Sequence, residues 1–231
     1  MFQSIKHLAL CSVVIMLTSS HIHPTNLQEI YIVLTRYVNN YAQIREIAPM
    51  SEKSGYELAK FVGVATDDQP RYYLEAGGGC GAVSICIAKS LRAQDHLDVI
   101  EIDPVMYDVL VERLREYSNV AVHCCSILDW QSDIKYDAII STLPFNSLGV
   151  DFTQATLKHF QSLANVSCIL SYVEYPIVGQ VLQHFYGSDR KKMFRNVQSF
   201  MKNFRAERLQ DQATVYFNVP PLNVYHLSLA E

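Results

Sequence analysis

Glycine and proline are scarce, nine and eight in 231 residues, which excludes a collagen-like or low-complexity chain. Charged residues make up only 18% against 49% hydrophobic, too apolar for a disordered segment. The six cysteines (Cys11, Cys80, Cys86, Cys124, Cys125 and Cys168) include no C-x-x-C pair matched by a second one, so no zinc-ribbon arrangement is available and no metal site is expected. Several sit in apolar, strand-like runs, where free cysteine behaves as a small hydrophobe. We therefore read them as inert thiols of a reducing compartment. The net charge is only −4 and argues against a general nucleic-acid binder, whose affinity rests on many phosphate contacts.

No apolar run is long enough for a transmembrane helix. The longest at the N-terminus, Leu8 to Leu17, has the length of a signal-peptide core but lacks a clean small-x-small cleavage site. It reads as a helix packed on the domain or on a membrane surface, with a weak export signal or a true start at Met16 as the other readings. Helical periodicity follows over 26–47 and over about Ser51 to Val64. Residues 1–65 are thus expected to form an N-terminal helical segment and 66–231 the main domain.

From Arg71 short apolar strands alternate with helical stretches. The strands are Tyr72–Ala76, Leu97–Ile102, Val120–Cys125, Ala138–Ser141 and Ser167–Val173. Helices are expected over Ala82–Leu91, Val105–Tyr117 and Phe152–Ala164. Such alternation means crossover units, and hence a parallel sheet with helices on both faces. A helix over Ser188–Arg208 then leads to strands at Ala213–Asn218 and Val224–Leu229. These are too close together for a crossover and are expected to pair antiparallel at the end of the sheet.

The most informative segment is Leu74-Glu75-Ala76-Gly77-Gly78-Gly79-Cys80-Gly81-Ala82, because it leaves a strand and opens a helix. Glycines there let the backbone turn sharply and approach a ligand at the helix N-terminus. The second strand ends in Glu101-Ile102, where an acidic side chain is placed to accept from ribose hydroxyls. Together these predict a nucleoside-type site at the carboxyl edge of the sheet. The same string satisfies the dehydrogenase pattern G-x-G-x-x-[GA]. Two details separate the readings: Glu75 gives E-x-G-x-G-x-G, and the chain shows no second, substrate domain.

In these residues the chain resembles the class I S-adenosylmethionine-dependent methyltransferases, which implies a Rossmann-like, seven-stranded, mostly parallel α/β sheet with an antiparallel C-terminal hairpin. By that resemblance S-adenosylmethionine is the cofactor. Gly77, Gly79 and Gly81 would wrap its methionine part, Glu101 would take the ribose and Ser126-Ile127 would edge the adenine, with Glu75, Ala76, Gly78, Ile102 and Ser141 also among the cofactor-binding residues. Ser141-Thr142-Leu143-Pro144-Phe145 occupies the place where amino-group methyltransferases hold their acceptor, with Thr142 in the polar position of the adenine-methylating pattern.

Four ordered segments are similar to the bacterial phospholipid N-methyltransferases: Ile47-Ala48-Pro49-Met50-Ser51 with Leu58-Ala59, Glu75 to Gly81, Ser141 to Pro144, and Asn218-Val219-Pro220-Pro221. The turn Tyr172 to Pro176 adds to them. This implies methylation of a phosphatidylethanolamine-like amine by a cytoplasmic enzyme, peripheral at the inner face of the membrane. Ser141, Thr142 and Tyr172 are the catalytic candidates, and Tyr172, Glu174 or Tyr175 the candidate proton acceptors. A ribosomal RNA or other nucleic-acid N-methyltransferase, or a non-catalytic cofactor-binding relative, are the alternatives.

Residues 190–208 hold seven Lys or Arg against one Glu, a local +6 within the total of −4. Met193, Phe194, Val197, Phe200, Met201 and Phe204 form an apolar stripe at helical spacing. Such a helix either covers the sheet with a solvated basic face or touches anionic lipid headgroups.

Overall fold

The computed structural model describes residues 50–176, 187–218 and 220–230. The apolar run 8–17, the helix expected over 26–47 and Cys11 lie outside the described residues. Met50 onward forms one compact unit, so residues 50–65, grouped by sequence with the preceding helices, pack with the sheet.

The sheet has seven strands in the order β3-β2-β1-β4-β5-β7-β6: β1 Tyr72–Ala76, β2 His96–Glu101, β3 Val120–Cys124, β4 Tyr136–Ser141, β5 Ala164–Glu174, β6 Leu209–Val215 and β7 Leu222–Ser228. Strands β1 to β5 run parallel, while β7 is antiparallel to both β5 and β6. The parallel sheet with a C-terminal hairpin is therefore as expected. The hairpin itself is shifted: β6 ends at Val215, and Tyr216 to Asn218 lie in a turn rather than a strand.

The helices are α1 Glu52–Leu58, α2 Ala82–Ser90, α3 Pro104–Leu114, α4 Phe145–Leu148, α5 Val150–Leu163 and α6 Ser188–Arg208. Strand residues alternate between two cores. One face gathers Tyr73, Val99 and Ile140 with Leu58, Ile87 and Leu110 of α1 to α3. The other gathers Leu74, Ile100 and Ile139 with Leu157, Phe160, Val197 and Met201 of α5 and α6. Near-continuous burial along β1, β2 and β4, with alternate residues facing opposite cores, is what helices on both faces require.

Helix α6 uses its apolar stripe inward: Phe194, Val197 and Met201 are buried and Phe200 and Phe204 pack partly against the core. The Phe-rich face suggested for a lipid interface is thus consumed by the sheet. Lys192, Arg195 and Lys202 stay exposed. No helix among the described residues is long and apolar enough to cross a membrane.

Free Cys80, Cys86 and Cys168 are buried as expected, but Cys124 is exposed on edge strand β3. Burial raises the Cys86 thiol to about 11 and the Cys168 thiol to about 12, which leaves both unreactive.

Candidate active site

Strand β1 delivers the glycine loop to the carboxyl edge of the sheet. Gly77, Gly79 and Gly81 have φ of 87°, 54° and 86°, in the region that side chains avoid. Gly78 is required for space: a Cβ there would stand 2.5 Å from Val99 Cγ1 and 2.8 Å from Leu110 Cδ1. The loop is hung from β2 by the Gly77 and Gly78 N–H groups, which donate to the Ile100 carbonyl at 2.9 and 3.1 Å. Arg113 Nη1 donates to the Cys80 carbonyl at 2.7 Å. Gly81 then enters α2 without a side-chain cap.

Glu101 stands at the centre of this edge. One carboxylate oxygen accepts from Gly79 N at 2.8 Å and the other from Asp103 N at 2.8 Å. Only 8% of the residue is exposed, and burial raises its pKa against the pull of those two N–H bonds. Each carboxylate oxygen accepts more than one hydrogen bond, so lone pairs remain for hydroxyl donors. Beside it Ile102 is 70% exposed, an apolar surface at the mouth of the loop. Glu75 and Ala76 are fully buried at the end of β1, immediately before the loop. Ile127 is buried, and Ser126 closes a turn by accepting from Leu128 N at 3.2 Å.

The acceptor-side segment lies against the same loop. Thr142 N donates to the Ala76 carbonyl at 3.1 Å, and its hydroxyl donates to the Gly77 carbonyl. Ser141 is fully buried in register with Ala76 and Tyr172. Phe145 is also buried, edge-on to Tyr172 at 6.1 Å, and so packs the core rather than presenting a ring to a base.

Tyr172 behaves as a core residue. Its hydroxyl accepts from Arg205 Nη1 at 2.8 Å, its ring stacks on Tyr225 at 5.4 Å, and burial pushes the phenol far up. A phenol held protonated beside a guanidinium is no proton acceptor. Glu174 is paired with the same guanidinium. Burial raises its pKa, with Arg205 opposing.

Two features escaped the sequence reading. Asn218, 2% exposed, accepts from Ser51 N at 2.8 Å and from Ser54 Oγ at 3.0 Å, and donates to the Pro220 carbonyl at 2.8 Å. This latch fastens the start of α1 to the β6–β7 turn, uniting two segments 167 residues apart. Next to it Tyr216 and Phe217 are 75% and 77% exposed, with Lys53 Nζ 4.7 Å from the Phe217 ring centre. Because β7 runs against β5, this turn lies on the same sheet edge as the glycine loop. A further groove of about 480 Å³ opens between the starts of α5 and α6, with Asp151, Asp189, Lys192 and Met193 on its walls.

The chain matches no protein-family model. It is similar to the tRNA1(Val) (adenine(37)-N6)-methyltransferase of Mannheimia succiniciproducens, 26% identical over 105 residues, which is 42% of this chain and 43% of that relative. Among solved structures it resembles the O-methyltransferase TomG of Streptomyces achromogenes in complex with S-adenosylmethionine (TM-score 0.57, 16% identity, 94% of this chain and 96% of that one). It also resembles the N-methyltransferase NodS of Bradyrhizobium japonicum WM9 (TM-score 0.56, 13% identity, 78% and 94%). The fold is therefore the Rossmann-like sheet of the class I methyltransferases. One fold serves oxygen and nitrogen acceptors alike, so the acceptor must be argued from the site.

Proposed function

We propose that this protein is an S-adenosylmethionine-dependent N-methyltransferase whose acceptor is a phosphatidylethanolamine-like amine headgroup. The observation that carries the cofactor reading is the Glu101 carboxylate, buried and bonded to Gly79 N–H beside three left-handed glycines. This cradle is built for a ligand with vicinal hydroxyls and a group that must approach backbone closely. Gly77, Gly79 and Gly81 would hold the methionine part, Glu101 the ribose hydroxyls, and Ile102 and Ile127 the adenine faces. The bound cofactor supplies an electrophilic methyl on a sulfonium. The chain contributes alignment and a dry, polar-lined edge.

The acceptor reading rests on the α5–α6 groove. Two carboxylates, Asp151 and Asp189, suit an ammonium, and Lys192 on the same wall suits a phosphate. A zwitterionic phosphoethanolamine carries both charges, whereas adenine carries neither. Exposed Tyr216 and Phe217 offer an amphipathic platform of the kind that sits between water and lipid. The amine reaches the methyl as a free base. With Tyr172 and Glu174 committed to Arg205, its proton leaves through water.

A second reading, methylation of adenine N6 in RNA, is favoured by the tRNA-modifying relative and opposed by the burial of Phe145. Titration calorimetry with S-adenosylmethionine, followed by radiolabelled methyl transfer to phosphatidylethanolamine vesicles and to total tRNA, tests both. Label in lipid alone is the expected result. Label in tRNA alone transfers the assignment to the second reading, and failure to bind S-adenosylmethionine overturns both.

A further inference from the structure

Three strands away from the glycine loop, on the sheet face covered by α1, three side chains from three elements converge. They are Glu57 of α1, Asp211 of β6 and His226 of β7, with one ligand-type atom of each within 4.8 Å of the others. His226 is paired in register with both Ser171 and Asp211, which turns its ring toward α1. There Nε2 lies 3.6 Å from Glu57 Oε1. The imidazole is completely buried, yet Nε2 has no hydrogen-bond partner, and neither has the buried Glu57 Oε1. Buried polar atoms are nearly always satisfied, so two facing orphans ask for a third group between them.

We propose that Glu57, Asp211 and His226 bind a divalent transition-metal ion, Zn²⁺ fitting best. One imidazole nitrogen with two carboxylates is a borderline N/O donor set, which suits Zn²⁺ better than Mg²⁺ or Cu(I). Donors about 2.0 Å from a tetrahedral ion stand roughly 3.3 Å apart, close to the 3.6 Å between Nε2 and Oε1. The outer sphere is in place: His226 Nδ1 shares a 2.8 Å hydrogen bond with Ser171 Oγ, the device that orients metal-bound imidazoles.

Access is open, since the Glu57 and Asp211 side chains are 27% and 39% exposed. The competitor is Lys60, whose ammonium bonds Asp211 and stands 3.6 Å from Glu57 Oε1. Metal entry exchanges one cation for another, and Lys60, 46% exposed, turns to solvent. The ion would tie α1 to the C-terminal hairpin, a structural role separate from methyl transfer.

The test uses the full chain, stripped with a chelator, titrated with Zn²⁺ alone and desalted before metal analysis. One equivalent retained, with a raised thermal midpoint, is expected. Asp211→Asn, at a half-exposed position and checked for intact fold by circular dichroism, should lose that equivalent. Lys60→Met should bind about tenfold more tightly, because its ammonium no longer competes. Failure of the wild type to retain zinc overturns the proposal. So does retention undiminished in Asp211→Asn, which would place the ion elsewhere, on Cys124 for example.

Discussion

Glu101 shows how one side chain both builds and uses a site. It joins the glycine loop to the turn before α3 through two backbone N–H groups, and those same oxygens would receive the ribose. Glu101→Ala is expected to weaken S-adenosylmethionine binding at least tenfold by calorimetry, the scale of losing a charge-assisted pair of hydrogen bonds. Burial raises the Glu101 pKa above its ordinary 4.5, so the acceptor form is lost earlier on acidification. Affinity should therefore fall as pH drops through that raised value, and Glu101→Gln should remove this pH dependence. Gly78→Ala tests packing instead. Its methyl must displace Val99 and Leu110 and is expected to cost about 1–3 kcal/mol in denaturant unfolding.

Among the elements, the parallel strands and the long helix α6 were legible because their signals are local: continuous apolar runs for buried strands and a 3.6-residue stripe for the helix. The glycine loop was legible for the same reason, since strand, turn and helix are contiguous from Tyr72 to Ser90. What stayed hidden is non-local. Nothing in Ser51, Ser54 or Asn218 alone reveals that they bond across 164 or more residues. Tyr216 and Phe217 read as strand residues because β propensity is a matter of surroundings as much as of residue type. The α6 stripe was read correctly as apolar, but its partner, core or lipid, is a tertiary fact. Asn218→Ala should leave Ser54 Oγ and Ser51 N without their acceptor and lower stability by about 1–3 kcal/mol. Hydrogen exchange should rise first in α1 if the latch is what holds it.

The whole molecule is polarised in two respects. Residues 190–208 carry +6, so the rest of the chain carries −10 of the total −4, and Lys192, Arg195 and Lys202 lie exposed on α6. Replacing Lys192, Arg195 and Lys202 by Gln should weaken association with anionic vesicles in sedimentation without changing cofactor affinity. The sheet is also fastened at both ends: the glycine loop and the Ser51–Asn218 latch lie at the carboxyl edge, and a second fastening lies at the opposite one. There Asp95 accepts from Arg71 N at 3.0 Å, from Arg92 N at 3.1 Å and from the Arg92 guanidinium at 2.7 and 3.0 Å. Burial works to raise the Asp95 pKa, but these donors outweigh it and bring it below 3.8. The stability Asp95 contributes is thus present above pH 3.8 and is lost as pH falls through the depressed value. Asp95→Asn should lower the thermal midpoint at neutral pH and flatten the acid limb of the stability profile.

The Ser51–Asn218 latch also bears on how such a chain can vary over generations. The glycine loop and Glu101 lie within one contiguous stretch of chain, whereas the aromatic turn and the helix start bonded to it come from opposite parts of the chain. A recombination that imports a new β6–β7 turn must import a matching first turn of α1, or leave the buried Ser54 hydroxyl and the Ser51 N–H without their acceptor. These two distant segments are then inherited as a linked pair. A chimera exchanging 50–58 together with 209–222 should have a higher thermal midpoint than either exchange alone.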